Sequence, residues 1–259
     1  SYGVGTLGLL SVVGGALAER SPMVIINGGP SSDALRYQSE FDTLYSHSTS
    51  RDHSDLIIFT EVTGFAERVE SPAKAVETID AAIRHARLHQ QPVYLEIPKH
   101  LWHAEIRPPA GRLAIVPAPE EDHDRLAQIF LTRLQAATRP VLLVGIEVKR
   151  YGLQDEVQAL IEELAIPWSS TMLAKAVIPE TVPGFIGVYA GRRSVPAVRQ
   201  LVEKSDAVLC LGTIFGRQYR TLATRSTRAL LRVSAGTVRD GTRELGKASV
   251  RSMVTALAG

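Results

Sequence analysis

Apolar and polar positions switch between strand-type and helix-type spacing along the whole sequence. Short apolar runs predict strands at residues 23–27, 93–98, 140–145, 207–212 and 229–233. Several of these runs are apolar throughout, which is typical of strands covered on both faces. Since helix-type segments lie between them, the sequence predicts an α/β fold, with two domains whose mainly parallel sheets are flanked by helices.

Helix-type spacing fills most of the remaining sequence. The small and apolar residues of 5–19 predict a buried helix, and Ser71-Pro72 opens a second helix that ends at Gln91-Pro92. A further strand is predicted near residues 167–170, and the Gly-rich stretch 184–191 comes between it and the next helix. Further helices are predicted at residues 122–137, 153–164, 195–203 and 250–258.

Two segments lack periodic spacing. Residues 35–55 are polar, carry His47 and His53, and predict a loop with little regular structure. Residues 107–121 contain four prolines and predict an extended linker. The linker divides the chain into a first domain at 1–106 and a second at 122–259.

Composition and charge exclude several classes of protein. Charged residues make up 22% of the chain and the formal net charge is +2, so we expect no nucleic-acid partner. No apolar run approaches the roughly 20 residues of a membrane span, so we expect no membrane partner. The single cysteine, Cys210, lies in an apolar run, which suits a buried thiol and a cytoplasmic location.

Candidate chemistry from the residues alone is sparse. Glycines follow strands in Asn27-Gly28-Gly29, Val144-Gly145 and Leu211-Gly212, where α/β proteins place ligands, although a structural turn is the favoured interpretation of each. None of these junctions matches a dinucleotide or P-loop motif. Glu96 is expected at the surface or at a junction, and Lys175 in solvent.

Several segments together resemble the pyruvate and indolepyruvate decarboxylase branch of thiamine-diphosphate enzymes. The opening Ser1-Tyr2-Gly3-Val4-Gly5 is similar to the family's Thr-Tyr-Gly-Val-Gly stretch, and the second part is similar to its central domain. No single motif decides the resemblance, which rests on the order and spacing of many. The other similar segments are residues 18–22, 28–31, 92–98, 139–148, 150–154, 175–180, 185–189 and 202–206.

The resemblance implies a partial pyrimidine-binding domain at 1–106 and a central domain at 122–259. It implies thiamine diphosphate with Mg²⁺ as the cofactor, a 2-oxo acid as the substrate, and Gly3 and Val4 near the aminopyrimidine. The family's catalytic glutamate would precede Ser1, and its diphosphate-binding domain, with the metal ligands, would follow Gly259. We therefore expect a partner chain to supply that domain, in a homo- or hetero-oligomer, and no catalysis or metal binding by this chain alone.

The family's His-His pair falls where this sequence has Leu44-Tyr45-Ser46-His47-Ser48. His47 is therefore the candidate catalytic residue, displaced by about one position from the family's pattern. Since the pair is reduced to one histidine, carboligation by the same cofactor stays open beside decarboxylation.

Three functions are consistent with these observations. The first is a split or truncated thiamine-diphosphate lyase completed by a second chain. The second is a non-catalytic assembly or regulatory subunit that keeps the fold, and the third is a nucleotide-binding module.

Overall fold

A computed structural model of the chain describes residues 3–45, 47, 48, 54–116, 122–225 and 230–259. Its residues form two units, Ser1–Pro117 and Ala118–Gly259. The boundary falls inside the predicted linker 107–121. The linker and the predicted domain limits stay predictions, because residues 117–121 lie outside the described residues.

The first unit is built on a three-stranded parallel sheet with the strand order β1-β3-β2. The strands are β1 (Met23–Gly29), β2 (Phe65–Arg68) and β3 (Pro92–Pro98). The helices are α1 (Val4–Leu7), α2 (Leu10–Ala18), α3 (Ser32–Phe41), α4 (Ser54–Thr60) and α5 (Pro72–His89).

Small apolar clusters cover the two faces of the central strand β3. Tyr94 packs on one face, where its ring stacks on Phe59 with 4.4 Å between the ring centroids. Val93 and Leu95 pack on the other face against the alanines of α5. The small alanine side chains let this long helix lie close to the sheet.

The helices and strands of the first unit differ from the sequence-based expectations in three places. The polar segment 35–55 was expected to be a loop, yet α3 occupies its first part, because Ser31 caps the helix by accepting a hydrogen bond from the Ala34 main chain at 3.2 Å. The predicted helix 5–19 is two helices, and Val12 is exposed rather than buried. Strand β2 was missed, since only four residues form it.

The second unit contains a seven-stranded sheet with the order β10-β9-β8-β7-β4-β5-β6. Strands β4 to β8 pair in parallel, whereas β8, β9 and β10 pair antiparallel. The strands are β4 (Pro140–Val144), β5 (Trp168–Thr171), β6 (Phe185–Tyr189), β7 (Ala207–Leu211), β8 (Leu230–Ser234), β9 (Thr237–Asp240) and β10 (Arg243–Lys247).

Helices cover both faces of this sheet, which confirms the predicted α/β class. Leu142 and Leu209 belong to one apolar cluster, whereas their neighbours Leu143 and Cys210 belong to a second. Two covered faces explain why these strands are apolar at every position. The helices are α6 (His123–Gln135), α7 (Glu147–Arg150), α8 (Gln154–Leu164), α9 (Pro196–Glu203), α10 (Arg220–Arg225) and α11 (Val250–Leu257).

The sequence patterns predicted the inner parallel strands of this sheet, but they did not predict the strands toward its two ends. Strand β6 lies inside the Gly-rich stretch 184–191, where no strand was expected. The antiparallel strands β9 and β10 were also missed. Strand β10 lies at the edge and β9 lies next to it, and both are mostly polar, so they lack the apolar run that reveals a buried strand. The other edge strand, β6, is apolar, but Gly187 interrupts its run.

Candidate functional site

Polar side chains are buried where β1 and β3 end in the first unit. Asn27 on β1 and Glu96 on β3 are register partners, and both are buried. A strand this apolar holds a buried polar residue only where hydrogen bonds compensate the loss of water.

A hydrogen-bond network surrounds Asn27. Its amide nitrogen donates to the Tyr94 hydroxyl at 2.7 Å and to Asp55 Oδ2 at 3.1 Å. Its amide oxygen accepts a hydrogen bond from the Thr6 hydroxyl at 2.6 Å. One side chain thereby connects α1, α4 and both strands.

Asp55 extends this network to the start of the chain. Its Oδ2 atom also accepts a hydrogen bond from the Gly3 main-chain N–H at 2.6 Å. Its Oδ1 atom is buried and has no hydrogen-bond partner among the described residues. The carboxylate therefore fixes the main chain at Gly3 and keeps one oxygen unused.

The structure brings together the three residues that the sequence singled out. The Val4 main-chain N–H donates to the His47 carbonyl oxygen at 3.1 Å. Gly3 has a φ of 59°, and a Cβ atom there would lie 1.6 Å from the same oxygen. Only glycine fits this position, because a side chain would meet backbone in a left-handed conformation.

The side chains of Val4 and His47 face solvent, whereas the groups behind them are buried. Val4 is 54% exposed, and His47 is also exposed. His53, also in this segment, lies outside the described residues, as do Ser46 and Asp52.

Two tyrosines next to this network remain protonated. Burial raises the pKa of Tyr94, and the neighbouring carboxylates of Glu96 and Asp55 raise it further, although the hydrogen bond from Asn27 lowers it. Burial is also the main cause that raises the pKa of Tyr45. Both phenols therefore stay neutral in the physiological pH range.

Glu96 is buried rather than at a surface or junction as expected. Its carboxylate forms an ion pair with Arg68, whose guanidinium also donates to the Pro30 carbonyl oxygen at 2.9 Å. A Cβ atom on Gly29 would lie 2.7 Å from the Glu96 carboxylate. The glycine that ends β1 therefore makes room for this acid, a role that strand patterns did not reveal.

The strand ends of the second unit are closed by main chain. The Gly145 N–H donates to the Leu211 carbonyl oxygen at 2.8 Å, and a Cβ atom on Gly145 would lie 2.1 Å from the Gly212 oxygen. The buried Glu147 carboxylate accepts hydrogen bonds from the Ala235 N–H at 3.0 and 3.2 Å. These glycines serve close backbone packing, as the structural interpretation of the junctions expected.

Cys210 and Lys175 of this unit have surroundings that are usual for their residue types. Cys210 is fully buried, and that burial raises its pKa to about 12, so its thiol is uncharged. Lys175 is exposed. Neither residue adds to the candidate site.

The described part of the chain offers neither a metal cluster nor a membrane-spanning helix. There, no cluster of three or more His, Cys, Asp or Glu side chains is arranged to hold a metal ion. Every helix in the described ranges is too short or too polar to cross a bilayer.

Sequence comparisons connect this chain to enzymes that use thiamine pyrophosphate. A family model described as "Thiamine pyrophosphate enzyme, central domain" matches residues 127–235. The chain is 33% identical over 217 residues to an indole-3-pyruvate decarboxylase from Azospirillum brasilense, and 32% identical over 223 residues to a pyruvate decarboxylase from Aspergillus terreus. It is 27% identical over 221 residues to an alpha-keto-acid decarboxylase from Mycobacterium leprae.

The similarity covers most of this chain but a smaller part of each relative. It includes 83% of this chain and 38% of the Azospirillum and Aspergillus proteins, and 37% of the Mycobacterium protein. The matched residues include the parallel sheet of the second unit. The chain is therefore similar, through its second unit, to the central domain of thiamine pyrophosphate enzymes and, over most of its length, to part of proteins named as decarboxylases of 2-oxo acids.

Proposed function

We propose that this chain supplies the pyrimidine-binding part and the central domain of a thiamine-diphosphate-dependent 2-oxo-acid decarboxylase or carboligase. The observation that carries the proposal is the pair of hydrogen bonds that fix Gly3 to Asp55 and Val4 to His47. They hold an exposed apolar side chain and a histidine at the ends of parallel strands, where α/β proteins bind ligands. The names of the relatives support a 2-oxo acid as the substrate class.

The residues present fit the flat pyrimidine ring of this cofactor. The Val4 side chain offers an exposed apolar surface, and the buried network behind Gly3 prevents that surface from shifting. A preformed surface of this kind binds a ring without a large entropic cost of ordering. Gly3 and Val4 would hold the pyrimidine in this proposal.

The chemistry that the bound cofactor supplies is an electron sink for the pair left when carbon dioxide leaves a 2-oxo acid. In this proposal the chain binds the pyrimidine ring and exchanges protons with the substrate beside it. The exposed His47 imidazole would exchange a proton with the carbonyl oxygen of the 2-oxo acid, since its ring nitrogens can both donate and accept protons. The neutral phenols of Tyr45 and Tyr94 add no negative charge next to an anionic substrate.

The diphosphate group and its Mg²⁺ require other residues in this proposal. A domain on another chain would hold them, in a homo- or hetero-oligomer. That other chain would be either a different polypeptide or a second copy of a longer form of this one. Both agree with the finding that this chain matches 38% of the length of the Azospirillum relative. The one cysteine of the sequence, buried and unpaired, supports a cytoplasmic location.

Mixing experiments test this proposal. The chain, a polypeptide with the diphosphate-binding domain, thiamine diphosphate and Mg²⁺ are combined, and cofactor binding and carbon dioxide release from pyruvate or indolepyruvate are measured. We expect binding and release only in the complete mixture. Turnover by this chain alone would refute the need for another chain.

A matched pair of glycine variants locates the site. Gly3→Ala should abolish cofactor binding in the mixture, because the new methyl group meets the His47 carbonyl. Gly152→Ala is the control, since Gly152 has a similar φ of 63° with no atom near its Cβ position. If the mixture binds no cofactor and the partner's activity is independent of this chain, the non-catalytic alternative is correct.

A further inference from the structure

A row of charged side chains crosses the antiparallel edge of the second unit's sheet. Arg232 on β8 is the register partner of Arg239 on β9, which in turn is the partner of Glu244 on β10. On the inner side, Arg232 is the register partner of Cys210 on β7. Register partners in a sheet point to the same face, so these side chains are neighbours.

Two arginines directly opposite each other are unusual in a sheet, because like charges at that spacing destabilise the pairing. Arg239 is compensated by Glu244, with 2.8 Å between a guanidinium nitrogen and a carboxylate oxygen. Arg232 has no carboxylate partner among the described residues. Its contacts are the Gly241 carbonyl oxygen at 3.3 Å and the ring of Phe215, whose centroid lies 4.8 Å from the guanidinium carbon.

The hydrogen-bonding capacity of both guanidinium groups is incompletely used. The Nε atoms of Arg232 and Arg239 are buried and have no hydrogen-bond partner in the described part of the protein. Burial also lowers the pKa of Arg232, and the charge of Arg239 contributes to that shift. Two guanidinium groups are therefore neighbours, and the described residues do not provide an acceptor for every N–H group that they carry.

A third cation lies on the same face. The Lys247 ammonium is 2.9 Å from the Glu244 carboxylate and donates to the Thr237 hydroxyl at 3.1 Å. Among the described residues of this face, three cations and one carboxylate leave two positive charges uncompensated. The side chains remain accessible, since Arg239 is 42% exposed and Lys247 is 58% exposed.

We propose that this surface, the arginine face (Arg232, Arg239 and Lys247 beside Phe215), binds the phosphate group of a small molecule. Guanidinium forks match phosphate oxygens in geometry, and a phosphate dianion matches the two uncompensated charges. A carboxylate carries one charge and would leave the second cation without a partner. Phe215 gives the face an apolar edge, which suits an ester carried by the phosphate.

Phosphate titrations of the full chain at constant ionic strength test this inference. The ³¹P line width of inorganic phosphate reports binding, and phenyl phosphate and acetate are titrated in parallel. We expect both phosphates to bind and acetate to bind at least about tenfold more weakly, since hydrogen bonds between charged groups are worth more than a factor of ten. Tighter binding of phenyl phosphate would identify an ester rather than free phosphate as the ligand.

Charge-neutral variants with a control on the opposite face assign the site. Arg232→Gln and Arg239→Gln should each weaken phosphate binding about tenfold or more. Arg243→Gln makes the same change on the same hairpin, but Arg243 is the register partner of Asp240 and points to the other face. Its phosphate affinity should equal that of the unchanged chain.

Three results would overturn the inference. They are the absence of phosphate binding by the unchanged chain, equal losses in Arg243→Gln and Arg239→Gln, and acetate binding as tight as that of phosphate. If Arg232→Gln does not fold, Arg239→Gln decides alone, because its side chain is partly in solvent.

Discussion

The two units of this protein use the ends of their parallel strands in opposite ways. In the second unit, main chain closes the space between β4 and β7, where Gly145 donates to Leu211 and packs on Gly212. In the first unit, the equivalent ends of β1 and β3 carry buried polar side chains, Asn27 and Glu96. The arrangement in the second unit packs main chain against main chain, whereas the one in the first unit places buried polar side chains next to the proposed cofactor site.

The strands of the two units also differ in how deeply their residues are buried. Every residue of β7 is buried, whereas Val24 and Ile26 of β1 are exposed by 45% and 58%. A parallel strand with one open apolar face contributes less burial per residue than one covered on both sides. We therefore expect the second unit to be the more stable of the two, and the first unit to combine a more open sheet with the proposed site.

The largest expected effect tests the packing of the second unit. Leu142→Ala on β4 should lower the free energy of unfolding by about 2–5 kcal/mol, because the leucine is fully buried and its removal leaves a cavity. Ile26→Ala on β1 should change it by about 0.5 kcal/mol or less, as for other exposed sites. Urea unfolding followed by circular dichroism measures both variants.

Tryptophan emission separates the two units in this experiment. Trp168 is buried in the second unit, and Trp102 lies in the first, so a Trp102→Phe background reports the second unit alone. Leu142→Ala should shift that transition, and Ile26→Ala should leave it in place. A large loss in Ile26→Ala would contradict the contrast between a packed unit and an open one.

The intermediate effect tests the network behind Gly3. Asp55→Ala removes the acceptor of the Gly3 N–H and of the Asn27 amide, at an expected cost of about 1–3 kcal/mol. Hydrogen exchange of the Gly3 amide should become at least about tenfold faster, since the amide loses its buried partner. Asp55→Asn keeps one acceptor oxygen and should show a smaller increase.

The second unit contains an internal control for this measurement. The Ala235 amide is also held by a carboxylate, that of Glu147. Its exchange should be unchanged in Asp55→Ala. If the Gly3 amide exchanged at the original rate in this variant, the carboxylate would not be what fixes the main chain beside Val4.

Much of the fold was predictable because it rests on local patterns. The apolar runs of β4 and β7 revealed buried parallel strands, and their order along the chain indicated an α/β class. Helix α3 was missed although Ser31 and Asp33 gave capping and first-turn signals, since its residues are mostly polar. A weakly apolar helix on a sheet leaves little periodic signal.

The candidate site was predictable only in part. The resemblance named Gly3, Val4 and His47, which the structure brings into contact. Asp55 was missed, because it lies 52 residues from Gly3 and only the fold brings them together. One signal was available in the sequence, since Asn27 is a polar residue at the end of an apolar strand that needs a buried partner.

The smallest expected effect is a pH dependence confined to the second unit. Asp206 accepts hydrogen bonds from the Thr138 hydroxyl, the Thr138 N–H and the Arg139 N–H, at 2.6–2.9 Å. These bonds lower the pKa of Asp206 to about 2, mainly through Thr138. A carboxylate whose pKa is lower in the folded state stabilises the fold above its unfolded pKa of about 4 and loses that contribution as the pH falls toward 2.

Asp206→Asn should therefore lower the urea midpoint of the second unit at pH 5 and reduce its further decline between pH 4 and pH 2. The change will be small, because Asp206 is exposed and solvent screens its charge. Trp168 emission in the Trp102→Phe background measures the midpoint, and Glu163→Gln on α8 is the control for a lost exposed carboxylate. Equal pH profiles in the two variants would mean that the Asp206 hydrogen bonds to the segment before β4 do not support the packed unit.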